Sequence, residues 1–189
     1  MDEDRFHGRS DRHFIVTGSN NFSLMQNITQ SMAGRAAMLI LLPLSFSELT
    51  ADDKSIDVDS MMLRGFYPAV LAKKIPARDA YRQYYNTYLQ RDILQVLNIR
   101  NMDEFRRFVV LCAARVGTEF NAPGLSNEIG VSIHTIQSWM NVLEASYIVF
   151  HLRPFYRNIG KRLVKKPKIY FYDSGLACYL LGIQNAEQL

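Results

Sequence analysis

The first fifty residues combine short, continuous apolar runs with one helical repeat. Two runs, His13–Thr17 and Ala37–Leu42, are too short for helices and end at turn residues, so each predicts a strand buried on both faces. Between them, Phe22–Met32 places apolar side chains at helical spacing, and the pattern stops at Gly34, a common helix-end signal. A strand, a helix and a second strand of this kind are typical of an α/β layer with a parallel sheet.

The pattern changes to helices in the second half of the chain. Residues 51–76 begin with a polar, acidic stretch and predict a linker, and from Ala77 aromatic side chains recur at three- and four-residue steps along one helix face. Further helices are predicted at Met102–Val116, from about Pro123, and at Ile133–Ala145. The tyrosines of the first face are Tyr81, Tyr84, Tyr85 and Tyr88. We therefore expect a region rich in α-helix after the linker.

A helix, a turn, a helix and two strands are predicted in the last third of the chain. Ser132 follows a glycine-containing turn and can cap the helix Ile133–Ala145. Tyr147–Leu152 and Ile169–Tyr172 have the apolar character of strands, with a basic loop between them. This order is the layout of a winged helix-turn-helix. Asp173 can cap one more helix after the second strand, predicted to run through Leu181 and to be ended by Gly182.

Charge is distributed unevenly, with a net charge of +4 and a pI of about 9.1. Residues 151–189 hold seven lysines and arginines against two acidic residues, a balance of +5, whereas the remainder holds fifteen against sixteen, a balance of −1. A basic end favours an anionic partner such as DNA. The alternative is a basic loop that docks on another part of the same protein. The candidate nucleic-acid residues are Arg153, Arg157, Lys161, Arg162, Lys165, Lys166 and Lys168.

The helix Ile133–Ala145 occupies the position of a recognition helix. Its polar side chains can reach base edges or phosphates in a major groove. The alternative is a module that only packs against other protein surfaces, because a fold does not determine a function. The polar candidates on this helix are His134, Thr135, Gln137, Ser138 and Asn141.

A second candidate site lies in the first fifty residues. The strand ending at Thr17, Ser19 and Asn20 places hydroxyl and amide groups at the carboxyl edge of a sheet, where ligands bind in open α/β folds. These groups can read a terminal phosphate, or they can form a polar turn that caps the next helix. Arg35 follows a helix end; its guanidinium can pair with a phosphate as a finger or sensor, or stabilise the helix C-terminus.

The 189 residues contain no GxxxxGK[ST] loop, the element that cradles phosphates and holds Mg²⁺ in P-loop enzymes. The Gly160-Lys161 step is followed by Arg162, so it does not qualify. The acidic stretch near residue 52 lacks the spacing of a calcium loop, and no metal site is predicted. Cys112 and Cys178 are lone cysteines in apolar surroundings and predict buried thiols in a reducing compartment. The sequence contains neither a signal peptide nor an apolar run long enough to span a membrane, so we expect a cytoplasmic protein.

Several stretches, taken together and in order, resemble a prokaryotic AAA-type P-loop ATPase family that carries a C-terminal winged helix and a nuclease-like region of unknown function. They include FIVTGSNNFSLMQNITQSMAGR, LLPLSFSEL, RGFYPAV, YYNTYLQRDI and the segment from LSNEIGV to CYLLGI. The resemblance implies that Thr17, Ser19 and Asn20 sense phosphate and that Arg35 is a finger or sensor. It also implies an Arg–Asp network, around Arg64 and the Arg91-Asp92 step, that joins the two domains.

The resemblance implies ATP and Mg²⁺ as cofactors of the full-length family, with the phosphate loop expected before residue 1 and the nuclease-like fold after residue 189. We therefore expect a truncated member that binds neither cofactor tightly by itself, whether a split frame, a pseudogene product or an internal start. Its partners would be DNA, the missing parts of its own ATPase, or other subunits. Whether the chain acts as an enzyme stays open.

The expected fold is an α/β fragment followed by an α-rich region. Residues 1–50 are assigned to the C-terminal strands of a P-loop ATPase sheet, residues 51–76 to a linker, and residues 77–189 to a helical and winged-helix region. The leading functional hypothesis is a member of an ATP-binding family that does not hydrolyse ATP alone. The alternative is a winged-helix module that binds DNA or another protein.

Overall fold

The computed structural model of this chain describes residues 15, 37, 39–50, 57–72, 75–88, 102–155, 157 and 165–189. Helices dominate these residues, as the sequence predicts, and their strands form one small antiparallel pair. The helices are α1 (Phe46–Leu49), α2 (Val58–Arg64), α3 (Pro68–Ala72), α4 (Ala77–Tyr84), α5 (Met102–Ala114), α6 (Ala122–Ile129), α7 (Ile133–Ala145) and α8 (Ser174–Leu181); the strands are β1 (Val149–Leu152) and β2 (Lys168–Phe171). A 3₁₀ turn, Ala186–Gln188, follows α8.

The first described stretch, residues 39–50, is apolar and exposed at its start and helical at its end. Leu39 and Leu41 are 89% and 96% exposed and lie outside regular structure, so these residues differ from the predicted buried strand. A strand needs a neighbour for its backbone hydrogen bonds, and the paired strands among the described residues lie elsewhere. The helical turn α1 follows, and Ser45 caps it in a capping box with Glu48.

Two short helices lie within the range that the sequence assigns to a linker. Helix α2 begins at the N-cap Asp57, whose carboxylate accepts the Ser60 N–H at 2.9 Å. Met61 on α2 and Val70 on α3 are buried, and α2 packs against α8 near the other end of the chain. Of the acidic residues that suggest a linker, Asp57 caps α2 and Asp59 lies in its first turn.

The core lies between α5, α7, α8 and the two strands. Trp139 of α7 packs edge-on against Phe105 of α5, with ring centres 5.4 Å apart, and against Phe108 at 5.5 Å. Ile136 and Leu143 extend the same buried face of α7. The predicted helix Ile133–Ala145 is confirmed to its first and last residues, because a strong apolar repeat and a serine cap both specify it.

The last helix is also confirmed. Asp173 caps α8 through a 2.7 Å bond from the Leu176 N–H to its carboxylate, and Gly182 ends the helix in a left-handed conformation. The tyrosine face predicted near residue 81 lies on α4 and the π-helical turn that follows at residues 85–88. These rings pack on Tyr67 and Tyr179, so this face is part of the core.

Candidate functional site

Local caps set both ends of α6 and the start of α7. Asn121 caps α6 by accepting the Gly124 N–H at 3.2 Å. Gly130 ends α6 in a left-handed conformation with φ of 87°. Ser132 caps α7 by accepting the Thr135 N–H at 3.0 Å. Because Gly130 and Ser132 satisfy the facing helix ends locally, the sequence of the turn specifies where α6 ends and where α7 begins.

The exposed side of α7 carries a stripe of neutral polar groups. His134, Gln137 and Asn141 are exposed, and their spacing of three and four residues places them on one helix face. Thr135 and Ser138 are half-buried. The Thr135 hydroxyl also lies 2.8 Å from the Ser132 hydroxyl in the cap. Of the five polar candidates on this helix, His134, Gln137 and Asn141 are therefore the ones that the structure brings together on an open surface.

Helix α7 ends in a hydrogen-bond pattern that normally contains glycine. The Ile148 N–H donates to the Leu143 carbonyl and the Tyr147 N–H to the Glu144 carbonyl, each at 3.0 Å, which is a Schellman motif. The residue at the left-handed position is Tyr147, with φ of 54°. A bulky residue with positive φ is an outlier, so the end of α7 carries a backbone cost that glycine would avoid.

The two strands form a ribbon that begins directly after α7. Val149 pairs with Phe171 and Leu152 with Lys168, in antiparallel register. The other edge of β2 accepts a short third segment, because the Gly117 N–H donates to the Ile169 carbonyl at 2.8 Å and the Phe120 N–H to the Pro167 carbonyl at 2.8 Å. Strand β2 is thus held on both sides, which anchors the base of the loop between the strands.

The basic residues of the sequence prediction flank this loop. Every one that the structure describes is exposed, and Lys161 and Arg162 lie outside the described residues. Lys168 is the first residue of β2 and pairs with Leu152, so its charge sits at the loop end of the ribbon. The exposed residues are Arg153, Arg157, Lys165, Lys166 and Lys168. The structure therefore concentrates five positive charges on or beside the loop.

A close polar contact holds the last turn of α7 against β1. The Glu144 carboxylate lies 2.8 Å from Nδ1 of His151, and both side chains are largely covered. The ring of Phe120 packs on His151 with centres 5.0 Å apart. His151 is thus a structural link between α7 and the ribbon.

A buried carboxylate at the start of α8 joins distant parts of the chain. Asp173 is 1% exposed, and beyond capping α8 it accepts the Phe66 N–H at 2.6 Å. The Tyr81 hydroxyl lies against this carboxylate and 3.2 Å from the Arg64 carbonyl oxygen. The Phe66 carbonyl in turn accepts the Leu44 N–H at 2.9 Å. The segment before α1, the turn after α2 and the start of α8 therefore meet at one point.

Burial is the main influence on the acidity of this carboxylate. Loss of water raises the pKa of Asp173 above its ordinary value, and the bonds from Phe66, Tyr81 and Leu176 oppose that rise. The sequence predicts the cap but misses the contact with Phe66, 107 residues away. The signal for that contact in the sequence is Gly65, whose backbone leaves room for Tyr81 and Asp173.

The candidate phosphate-sensing residues Thr17, Ser19 and Asn20 and the candidate finger Arg35 lie outside the described residues. Arg91 and Asp92 also lie outside them, so the implied Arg–Asp network stays a prediction. The described member, Arg64, donates to the Leu71 carbonyl at 3.4 Å. Near it, Asp173 binds the backbone of Phe66.

The described residues offer no arrangement for a metal ion or a membrane span. They contain no cluster of three or more histidine, cysteine, aspartate or glutamate side chains placed to hold a metal. None of the helices among them is long and apolar enough to cross a membrane. Burial raises the pKa of the Cys112 thiol to about 12, so this thiol is protonated and poorly nucleophilic at neutral pH.

Two family models match the chain. A domain of unknown function (DUF8612) matches residues 55–187, more than two thirds of the sequence. An AAA domain matches residues 4–50. The two matches meet near the end of α1, so the described helices and ribbon from α2 onward belong to the first of them.

The relatives are longer proteins. Uncharacterised proteins of Mycobacterium tuberculosis and Mycobacterium bovis are each 33% identical over 176 residues, covering 91% of this chain and 38% of the relative. An uncharacterised protein of Haemophilus influenzae is 24% identical over 188 residues, covering 92% of this chain and 47% of the relative. The chain thus spans less than half the length of these relatives. No solved structure matches it.

Proposed function

This chain belongs to the family described as a domain of unknown function (DUF8612), and we propose that its helices and ribbon form a winged-helix module that binds duplex DNA within an AAA-type ATPase. The observation that carries the proposal is the combination of two surfaces. One is the neutral polar stripe of α7, and the other is the set of five exposed cations on or beside the loop of the ribbon.

The order of elements supports this module. The elements follow one another as in winged-helix proteins: helix α5, the short segment 117–120, helices α6 and α7, and strands β1 and β2. The short segment pairs with β2. Helix α7 contains no lysine or arginine. We infer a division of labour in which α7 contacts base edges through amide and imidazole groups, while the loop supplies the attraction to phosphates.

The AAA match at residues 4–50 supports the ATPase part of the proposal. We propose that Thr17, Ser19, Asn20 and Arg35 form the phosphate-sensing part of an ATP site. The groups that grip the phosphates and Mg²⁺ would come from another segment or subunit, because these 189 residues contain no GxxxxGK[ST] loop. This chain alone would then sense nucleotide held elsewhere and would not hydrolyse ATP.

Salt-dependent binding tests the DNA proposal. The change combines Lys165→Gln, Lys166→Gln and Lys168→Gln, measured by fluorescence anisotropy on a labelled duplex of about 20 base pairs across a salt series. Each of the three lysines that contacts a phosphate should, when removed, flatten the slope of log K against log salt by about 0.9. Arg78→Gln, an exposed cation on α4, is the matched control and should leave the slope unchanged. Absent or salt-independent binding would favour a module that only packs on protein.

Nucleotide binding tests the ATPase proposal separately. Titration calorimetry with ATP and Mg²⁺ on the isolated chain should give no micromolar binding, and a phosphate-release assay should give no turnover. Tight binding accompanied by hydrolysis would contradict the proposal, since it would require a phosphate-gripping site that the sequence does not predict.

A further inference from the structure

The outer face of the ribbon is aromatic. The register places Phe150 opposite Tyr170 and Leu152 opposite Lys168, and opposite or alternate residues share a face. The rings of Phe150 and Tyr170 are stacked with centres 5.6 Å apart, and Tyr172 lies 4.9 Å from Phe150. These three rings are half-buried, and Leu152 is 52% exposed. The inner face, by contrast, is buried through Val149, Ile169 and Phe171.

Tyr147 extends this row of rings from an unfavourable backbone position. Its ring lies edge-on to Tyr172 with centres 6.0 Å apart. It occupies the left-handed position of the Schellman motif, where glycine would avoid the steric cost that a side chain brings. A large aromatic residue at a glycine position is a backbone outlier, and such outliers cluster at functional sites. The row runs Tyr147, Tyr172, Phe150 and Tyr170.

The charges beside this aromatic row indicate the chemistry of its ligand. Lys168 lies on the same face of the ribbon as Phe150 and Tyr170. Lys165 and Lys166 precede it, and Arg153 directly follows β1; all four cations are exposed. A row of partly exposed rings bordered by cations complements a ligand with flat π-faces and negative charges.

We propose that the aromatic row binds the unpaired bases of a single-stranded nucleic acid by stacking. The bases would stack on the parts of the rings that stay exposed, and the cations of the loop would hold the phosphates, as on other single-strand binding surfaces. The site shares the loop with the proposed duplex site but uses the ribbon face instead of α7. It therefore does not require α7 to bind duplex DNA.

Binding of a base-free strand separates stacking from charge. The full chain is titrated by anisotropy with a labelled oligothymidine strand of about 20 nucleotides and with an abasic strand of equal length, which has the same phosphates but no bases. Stacking predicts that the oligothymidine binds at least about fivefold more tightly, the gain expected from one stacked base. Equal affinity for the two strands would overturn the proposal and assign the rings to internal packing or to a protein partner.

Variants of Tyr147 then locate the site. Tyr147→Gly suits the left-handed backbone, so relief of strain should offset the missing ring and keep the thermal midpoint within a few degrees. It should weaken oligothymidine binding about fivefold or more and leave binding of the abasic strand unchanged. Tyr147→Phe keeps the ring and should bind oligothymidine like the parent chain. Unchanged oligothymidine affinity in Tyr147→Gly would contradict the proposed role of this residue.

A second ring keeps the test decisive if Tyr147→Gly unfolds more easily than expected. Tyr170→Leu leaves the end of α7 untouched and should also lower oligothymidine affinity about fivefold or more. A duplex titration runs in parallel. If the parent chain binds oligothymidine but not the duplex, the proposed winged-helix function alone is contradicted. If it binds the duplex but binds oligothymidine no more tightly than the abasic strand, the stacking site alone is contradicted.

Discussion

The buried site at Asp173 differs from the outer surface of α7 and the ribbon in whether its charged groups are covered and hydrogen-bonded. The Asp173 carboxylate is covered, and donors from distant parts of the chain satisfy it. The cations of the ribbon loop are exposed, and the polar stripe of α7 faces solvent. A carboxylate whose hydrogen bonds are made within the protein stabilises the fold, whereas exposed charges of one sign attract an oppositely charged partner. Changes at the first site should alter stability, and changes at the second should alter binding.

The largest effect is expected from Gly65→Ala. Gly65 has φ of 74° and ψ of −173°, a backbone region that is essentially restricted to glycine. An added Cβ would also collide with the Tyr81 hydroxyl and lie 2.8 Å from an Asp173 oxygen. We expect a loss of about 3 kcal/mol or more in the free energy of unfolding, measured by urea denaturation.

Gly130→Ala is the matched control. Gly130 also has positive φ, at 87°, but a Cβ there would have no neighbour within 4 Å. Its cost should be only the conformational term of about 1 kcal/mol. Equal costs for the two substitutions would show that the close approach of Gly65 to Tyr81 contributes nothing.

Asp173→Ala should rank next. The substitution removes the cap of α8 and leaves the Phe66 N–H without its acceptor. Loss of a cap costs about 1 kcal/mol and a stranded buried donor roughly 1–3 kcal/mol more, so we expect a total of about 3 kcal/mol. Asp57→Ala removes an exposed cap from α2 and should cost about 1 kcal/mol by the same urea measurement. A small effect at Asp173 would contradict its role in holding distant segments together.

The tyrosine cluster beside Asp173 predicts a loss of stability at alkaline pH. Burial raises the pKa of Tyr67 to about 12 from its ordinary value of 10.0, and it also raises the pKa of Tyr81 and Tyr84. Because the folded-state pKa is the higher one, the stabilisation is complete below about pH 10 and is lost as the pH rises through about 12. A shift of about two pKa units in Tyr67 corresponds to roughly 2–3 kcal/mol.

Denaturation at several pH values, together with tyrosinate absorbance at each, measures this effect. Below about pH 12, tyrosinate from the cluster should appear only as the chain unfolds. Tyr67→Phe should flatten the dependence between about pH 10 and 12, because phenylalanine has no proton to lose. A parent chain whose tyrosines all ionise before unfolding would show that the cluster is open to water.

The sequence predicts the elements whose signals are local. Helix α7 has an apolar repeat and a serine cap, and α8 has an aspartate cap and a terminal glycine, so both are predicted with correct bounds. The described part of Ala37–Leu42 differs from its prediction, since an apolar run specifies burial but supplies no partner strand. The helices at residues 58–72 are missed because their apolar content is short and their acidic flank suggests a linker.

In the candidate site, too, the features with local sequence signals are predicted and the others are missed. The basic residues and the polar residues of α7 can be read from composition and spacing. The contact of Asp173 with Phe66 spans 107 positions, and its one local signal, Gly65, does not identify the distant partner. The aromatic row on the ribbon depends on strand register, which separates outward Tyr170 from inward Phe171 although the two are adjacent in the sequence.

The smallest change in stability is expected on the exposed face of α7, where the comparison with Asp173 is sharpest. We combine His134→Ala, Gln137→Ala and Asn141→Ala, which removes the polar stripe without touching the buried face. Alanine favours helix, and exposed substitutions usually shift stability by no more than about 0.5 kcal/mol each, so the free energy of unfolding should change by at most about 1.5 kcal/mol. Duplex affinity should fall, while the slope of log K against log salt should persist, because the loop cations remain. Unchanged duplex affinity would show that α7 does not contact DNA, and a large loss of stability would show that the stripe packs against the fold.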